Sequence, residues 1–150
     1  MKISLPGNNF TLVDKDDFLY LNQYKWHLGN GYVRRTTYSS GNKKNIRMHR
    51  VIMRSEKGCM VDHINGNKLD NRKENLRICT HQENMRNRKI PLTNKTGYKG
   101  IREKKFGKKW EVQIGVNHKN IYLGTFSNKQ EAIRIYSIAA KKYFGDFMRK

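Results

Sequence analysis

The chain has 150 residues and a formal net charge of +20, from 32 basic and 12 acidic side chains. That length suits one domain or two very small ones, and an excess so far beyond what solubility needs implies a polyanionic partner. No apolar run approaches the ~18 residues of a membrane span, there is no strongly amphipathic basic helix or lipidation signal, and the opening MKISLPGNNFTLVD has no apolar signal core. The expectation is a cytoplasmic protein with no membrane partner.

The first 48 residues read as short strands. Pro6-Gly7 offers a turn between Ile3–Leu5 and Phe10–Val13. DKDDFLYLNQYKWH suggests a helical turn followed by a strand. GYVRRTTY and KKNIRMH suggest a hairpin joined at Ser39-Ser40-Gly41. Arg34 and Arg35, with Lys43 and Lys44, sit on or beside that hairpin, where contacts to DNA phosphates would position a duplex. A short helix begins at Met48, and His49 within it reads as structural.

The segment MVDHINGNKLDNRKENLRICTHQENMRN, Met60 to Asn87, carries the chemistry. Val61-Asp62-His63-Ile64 is a short apolar strand holding two chemical residues. Gly66 and Asn67 permit a tight loop, and Leu76-Arg77-Ile78-Cys79 is the returning strand. Thr80 with Glu83 forms a capping-box pattern that fixes the start of a helix, placing Asn84 in its first turns, close to the hairpin. A neutral imidazole takes a proton from water at pH 7, so His63 is read as general base. Asp62 and Asn84 are read as ligands of one Mg²⁺ or Mn²⁺ ion, a hard cation that takes oxygen donors and keeps several waters. His81 and Asn87 lie three positions either side of Asn84, and the sequence leaves them open as substitutes. Neighbouring strand residues point to opposite faces, so Asp62 and His63 share a site only if the strand twists or ends there. Arg72 and Arg77 are candidates for phosphate contact. Cys59 and Cys79 form no CxxC pair, so no zinc is expected. They flank the two hairpin strands and read as small buried apolar residues.

This segment resembles the catalytic motif of HNH nucleases, especially the Asn-terminated variant of phage and mobile-intron homing endonucleases. The HR dipeptide His49-Arg50 before an apolar helix also occurs in those relatives. The resemblance implies metal-assisted phosphodiester hydrolysis, and it implies that Asn75 ties the loop together and orients the histidine.

Beyond Arg88–Gly97, where Pro91 cannot continue a helix, three strands are expected around Ile101, Trp110–Val116 and Asn120–Phe126, with turns at Phe106-Gly107 and Asn117-His118. Ser127 and Gln130 suggest a helix start. Ala132, Ile135, Tyr136, Ala139, Ala140 and Tyr143 then recur at helical spacing, and Gly145 ends the helix. YKGI, KKWEVQI, YLGTF and EAIRIYSIAAKKYFG resemble the plant ethylene-response-factor (APETALA) type DNA-binding domain. By position in that family, Lys99, Arg102, Lys104, Phe106, Gln113 and Tyr122 would face DNA. Several family arginines and tryptophans are replaced here by Lys, Phe or Tyr, so no base preference carries over.

The reading is an α+β protein: an HNH (ββα-metal) nuclease domain over residues 1–90 with N-terminal strands, a linker at 91–96, and a three-stranded antiparallel sheet packed on one helix over 97–147. Residues 96–150 carry 13 basic and 4 acidic side chains, so both halves are positive enough to hold a nucleic acid. The partner is double-stranded DNA, with no small-molecule cofactor, and the cutting unit is a monomer or homodimer. The rivals are a non-catalytic DNA-binding regulator with an inert HNH fold, and a structure-specific or RNA-directed nuclease.

Overall fold

The computed structural model describes residues 1–105 and 107–148, an α+β chain whose contacts divide it after Asn87 into two units. Phe106, expected on the sheet face, lies outside the described residues.

The first unit opens with a hairpin of β1 (Lys2–Leu5) and β2 (Asn9–Leu12), turned at Pro6-Gly7 as expected. Helix α1 (Lys15–Asn22) follows. Strands β3 (His27–Gly29), β4 (Tyr32–Ser39) and β5 (Asn42–Arg47) then form one antiparallel sheet in that order. Ser40 and Gly41, at φ 48° and 76°, make the left-handed pair that a tight hairpin requires. The short helix α2 (Met48–Ile52) leads to a second hairpin, β6 (Met60–His63) and β7 (Leu76–Cys79), and then to α3 (His81–Arg86). One core joins these elements: Ile3 and Leu5 of β1, Leu21 of α1, Val33 of β4, Met48 of α2, Val61 of β6 and Leu76 of β7 are all buried together.

The N-terminal hairpin also braces the loop between β6 and β7. Leu12 N donates to Leu69 O and Asn71 N to Leu12 O, both at 2.8 Å. Asp14, just before α1, accepts from Lys73 N at 2.7 Å, and Lys73 Nζ donates to Asp17 at 3.1 Å. A loop with little apolar content is therefore fixed by a strand and a helix from elsewhere in the chain.

In the second unit β8 (Ile101–Glu103), β9 (Trp110–Val116) and β10 (Lys119–Phe126) pair antiparallel in the order β10-β9-β8, and α4 (Lys129–Phe144) packs on one face. Asn117 and His118 both take positive φ, 48° and 62°, closing the β9–β10 hairpin. Val112 and Ile114 of β9 lie against Ala132, Ala139 and Ala140 of α4, whose small side chains allow close approach. Two local expectations are corrected. The helix cap is Asn128, whose side chain accepts from Gln130 N at 2.7 Å, because the helix starts one residue later than a Ser127 cap requires. Ala132, Tyr136, Ala139 and Ala140 face the sheet as expected, but at the edges of the stripe Ile133 and Phe144 pack inward and Tyr143 is exposed. Part of the stretch expected as linker is also ordered: Asn94 Oδ1 accepts from Thr96 N and Gly97 N, and Thr96 Oγ1 donates to Ile101 O.

Gly100 sits at φ 67°, where a Cβ would be driven into the Gln113 carbonyl and the Tyr136 ring. Gly100→Ala is expected to destabilise the second unit by at least ~1–3 kcal/mol. Hydrogen exchange should then lose protection at β9 amides while β4 amides keep theirs; unchanged β9 protection would contradict the packing.

Candidate active site

His63 is the last residue of β6 and is buried. Its Nε2 lies 3.2 Å from Asn71 Oδ1. The direction of that bond follows from its neighbours. Thr11 Oγ1 donates to Leu69 O at 2.8 Å, so it is left to accept from Asn71 Nδ2, also at 2.8 Å. Asn71 therefore presents its oxygen to the imidazole, Nε2 carries the hydrogen, and Nδ1 keeps the lone pair. Burial pushes the His63 pKa down, against the upward pull of the Asn71 hydrogen bond and of Asp62. A lowered pKa keeps the ring unprotonated at pH 7.

Asn75 holds the loop but does not itself reach the histidine. Its Oδ1 accepts from Asn65 N at 3.0 Å and its Nδ2 donates to Asp70 O at 2.8 Å. The orienting contact to His63 comes from Asn71, which in the sequence looks like one more turn residue. Only the fold shows that it is fully buried and joined to β2.

Asp62 precedes His63, and β6 ends there, which meets the condition for the two to share a site. Its carboxylate Oδ2 accepts from Arg77 Nη2 at 2.8 Å across the β6–β7 pair and from Asn87 Nδ2 at 2.9 Å. Asn87 Nδ2 also donates to His63 O at 2.9 Å and Ile64 O at 3.3 Å. Asn87 is buried, and its amide ties the end of α3 to β6. Asn84, one turn earlier on the same helix, is half-buried with its Nδ2 3.9 Å from Met60 Sδ. The structure thus brings Asn87, and not Asn84, against Asp62. His81, the other substitute, is exposed. The capping box is present as expected, with Thr80 Oγ1 accepting from Glu83 N and Glu83 Oε2 from Thr80 N. The residue types suit a hard divalent cation, a carboxylate with asparagine amides nearby, but the amide that faces Asp62 presents its NH₂ and not its oxygen.

The basic residues divide. Arg72 lies on both oxygens of Asp70 at 2.8 Å and on Glu74 at 2.6 Å, and Arg77 is held by Asp62, so neither extends freely toward a phosphate. Arg35 stacks on Tyr24, 3.6 Å from the ring centroid. Arg34 is half-buried opposite Arg47 on β5. Around His63 a group appears that the sequence did not announce. Its ring is 5.1 Å from that of His49 and 6.2 Å from that of Tyr32, and Tyr32 carries Arg47 and Lys68 at 4.9 and 4.0 Å from its centroid.

In the second unit, Arg102, Glu111, Gln113 and Tyr122 lie on the sheet face away from α4. Arg102 and Lys104 both pair with Glu111, at 2.5 and 3.6 Å, and Tyr122 is 62 % exposed. Lys99 lies half-buried in the turn before β8.

The chain is 32 % identical over 145 residues to an HNH endonuclease of Acanthamoeba polyphaga mimivirus, an alignment that spans 92 % of this chain and 72 % of the relative. The chain belongs to the HNH endonuclease family. The family's HNH endonuclease profile matches residues 47–86, the stretch from the end of β5 through α3. Protein 3.8 of Escherichia phage T7 is 41 % identical over 58 residues, 39 % of this chain and 48 % of that protein. No solved structure matches significantly. HNH enzymes are nucleases dependent on a divalent metal, so this HNH chain is a nuclease with DNA as its substrate class. No described helix is long and apolar enough to cross a membrane.

His49 supplies a test of this buried cluster. Burial first, then the charges of His63, Arg47, Arg50 and Lys68, push its pKa down to about 3. The unfolded chain therefore binds a proton between the ordinary histidine pKa of 6.5 and about 3 that the folded chain refuses. The resulting stability is complete above pH 6.5 and falls as pH drops toward 3, by at most ~1.4 kcal/mol per pH unit. His49→Gln should flatten the slope of unfolding free energy between pH 6 and 4 in urea titrations. An unaltered slope would mean that His49 is not held neutral.

Proposed function

We propose that the chain is a metal-dependent DNA endonuclease in which His63 activates water, Asp62 and Asn84 hold one divalent ion, and the second unit grips duplex DNA. The observation that carries this reading is the fixed histidine. Asn71 holds the Nε2 side, so Nδ1 is left to take a proton from the attacking water. Mg²⁺ or Mn²⁺ bound at Asp62 supplies positive charge against the phosphate and the leaving 3′ oxygen. Arg77 keeps the Asp62 carboxylate oriented across the strand pair.

The choice between the two helix asparagines rests on what each gives up. Presenting an oxygen from Asn87 means turning its NH₂ away from the Asp62 carboxylate, His63 O and Ile64 O, giving up the bond to a buried charge and leaving Ile64 O without this donor. Asn84 gives up a weak sulfur contact. Asn84 is therefore the ligand, and Asn87 positions Asp62 and locks α3 to β6.

The sheet face of the second unit resembles an ethylene-response-factor type surface, and Arg102, Lys104, Gln113 and Tyr122 are its contacts to DNA. Glu111 orients Arg102 and Lys104 while cancelling part of their charge. Tethering two modest binders in one chain raises affinity through effective concentration. Cutting at one preferred site, as a homing-type or nicking enzyme does, follows if the sheet reads sequence.

His63→Ala is expected to lower plasmid cleavage by ~10²–10⁴ with DNA binding nearly intact; near-normal turnover would remove His63 as base. Asn84→Ala should lose rate but recover partly at raised Mn²⁺, with unfolding unchanged. Asn87→Ala should lose both rate and stability, without metal rescue. The reverse pattern would exchange their roles. Residues 88–150 alone should bind duplex DNA with log K falling against log salt at a slope near −4 to −5, if ~5 phosphates are neutralised. A fragment that ignores DNA at low salt would leave the sheet without its assigned part.

A further inference from the structure

Arg47 and Lys68 come from distant parts of the first unit, the end of β5 and the loop between β6 and β7. The fold brings both cations onto the ring of Tyr32, at 4.9 and 4.0 Å from its centroid. The two charges lie no further apart than the sum of those distances, about one Debye length, so salt screens their mutual repulsion only partly. Neither enters an ion pair among the described residues. Asp70, the nearby acid that would balance them, is taken by Arg72 on both oxygens. Cation–π contact with an accessible ring returns only ~0.5–1 kcal/mol each. Two cations gathered without a counter-charge form a site for an anion, and this one adjoins the active histidine, since Tyr32 packs 6.2 Å from His63, centroid to centroid.

We propose that Arg47 and Lys68, set over Tyr32, form a subsite for the DNA backbone phosphate next to the bond that is cut. This rests on the endonuclease reading for its position, and on charge complementarity for its ligand. Tyr32 acts as the platform: it gathers both cations at one ring and packs against His49 and His63, so the phosphate grip and the base share one wall. Lys68 also belongs to the loop that Asn71 fixes, and Asn71 Nδ2 reaches Lys68 O at 3.4 Å. The part of the chain that orients the base therefore carries the grip as well. Arg34, opposite Arg47 in the sheet, extends the same positive field.

The test uses the full chain and a fluorescently labelled mixed-sequence DNA duplex in EDTA, so that no cutting is needed to read it. Arg47→Gln with Lys68→Gln is expected to weaken binding several-fold at low salt and to make the slope of log K against log salt shallower by about 0.9, the loss of one phosphate contact. Arg47→Lys with Lys68→Arg should restore most of the affinity and the slope. Lys15→Gln with Lys57→Gln removes the same net charge from exposed positions of the same unit and should leave the slope unchanged. Tyr32→Leu, which keeps both charges but removes the platform, should weaken binding without the full change in slope. The subsite is overturned if the Arg47/Lys68 pair behaves like the Lys15/Lys57 pair, or if the slope does not move in either. A protein that binds as expected but never cuts plasmid with Mn²⁺ would sink the nuclease reading and leave the phosphate site standing.

Discussion

The bond from Asn71 to His63 is the constraint on which the site depends. An imidazole serves as a base only if one nitrogen is occupied and the other is kept ready, and Asn71 does the occupying. Its own orientation is dictated by Thr11, whose hydroxyl is committed to Leu69 O. The hydrogen bonds run from the N-terminal hairpin through a buried amide to the His63 ring. This gives the first twelve residues a purpose beyond adding apolar surface: β2 is the template against which the loop between β6 and β7 is shaped. A loop rich in Asn, Asp and Lys cannot be held by hydrophobic burial. It is held instead by paired polar groups, each costly to leave unmatched once buried.

Scarcity of acid organises the rest. With 12 carboxylates against 32 basic groups, where each carboxylate goes decides which cations remain available. Asp62 holds Arg77, Asp70 and Glu74 hold Arg72, Asp17 holds Lys73, and Glu111 holds Arg102 and Lys104. These pairs fix local geometry and offset part of the charge that their arginines and lysines contribute to the general positive field. The exposed pairs contribute little stability. The Asp62–Arg77 pair is different, being nearly enclosed, and removing one member would leave a buried charge without its partner.

What was legible in the sequence follows the same division. Turns and caps were readable because they rest on local chemistry: Pro6-Gly7, Ser40-Gly41, Asn117-His118 and the Thr80/Glu83 box all act within a few residues. The helical spacing of Ala132, Tyr136, Ala139 and Ala140 placed the second sheet against its helix, and only the edges of that stripe differ from the expectation. The α+β class followed from these elements. Asp62 and His63 stood out because their neighbours fitted a known motif. The residues that escaped are those whose role lies across long sequence separations. Asn71 meets Thr11 and Lys68 meets Tyr32 only after folding, and nothing local distinguishes Arg47 or Lys68 from the other basic residues. Arg72 and Arg77 show the converse: the acid partners that hold them were not legible, one of them lying on the neighbouring strand.

The two helix asparagines show how a motif and a geometry divide one task. The i, i+3 spacing puts Asn84 and Asn87 on one face of α3, so either faces the hairpin. Their surroundings separate them. Asn87 is buried and its NH₂ serves three acceptors, one of them the Asp62 carboxylate, so it acts as a tie between helix and strand. Asn84 is half-buried and, among the described residues, its side chain is held by a sulfur contact alone, so its amide turns at little cost. A metal ligand must release its present partner when the ion arrives, whereas a tie must not. Tight hydrogen bonding therefore argues for Asn87 as scaffold, and loose bonding for Asn84 as ligand. The shortest distance to Asp62 identifies the residue that shapes the site, which need not be the residue that binds within it.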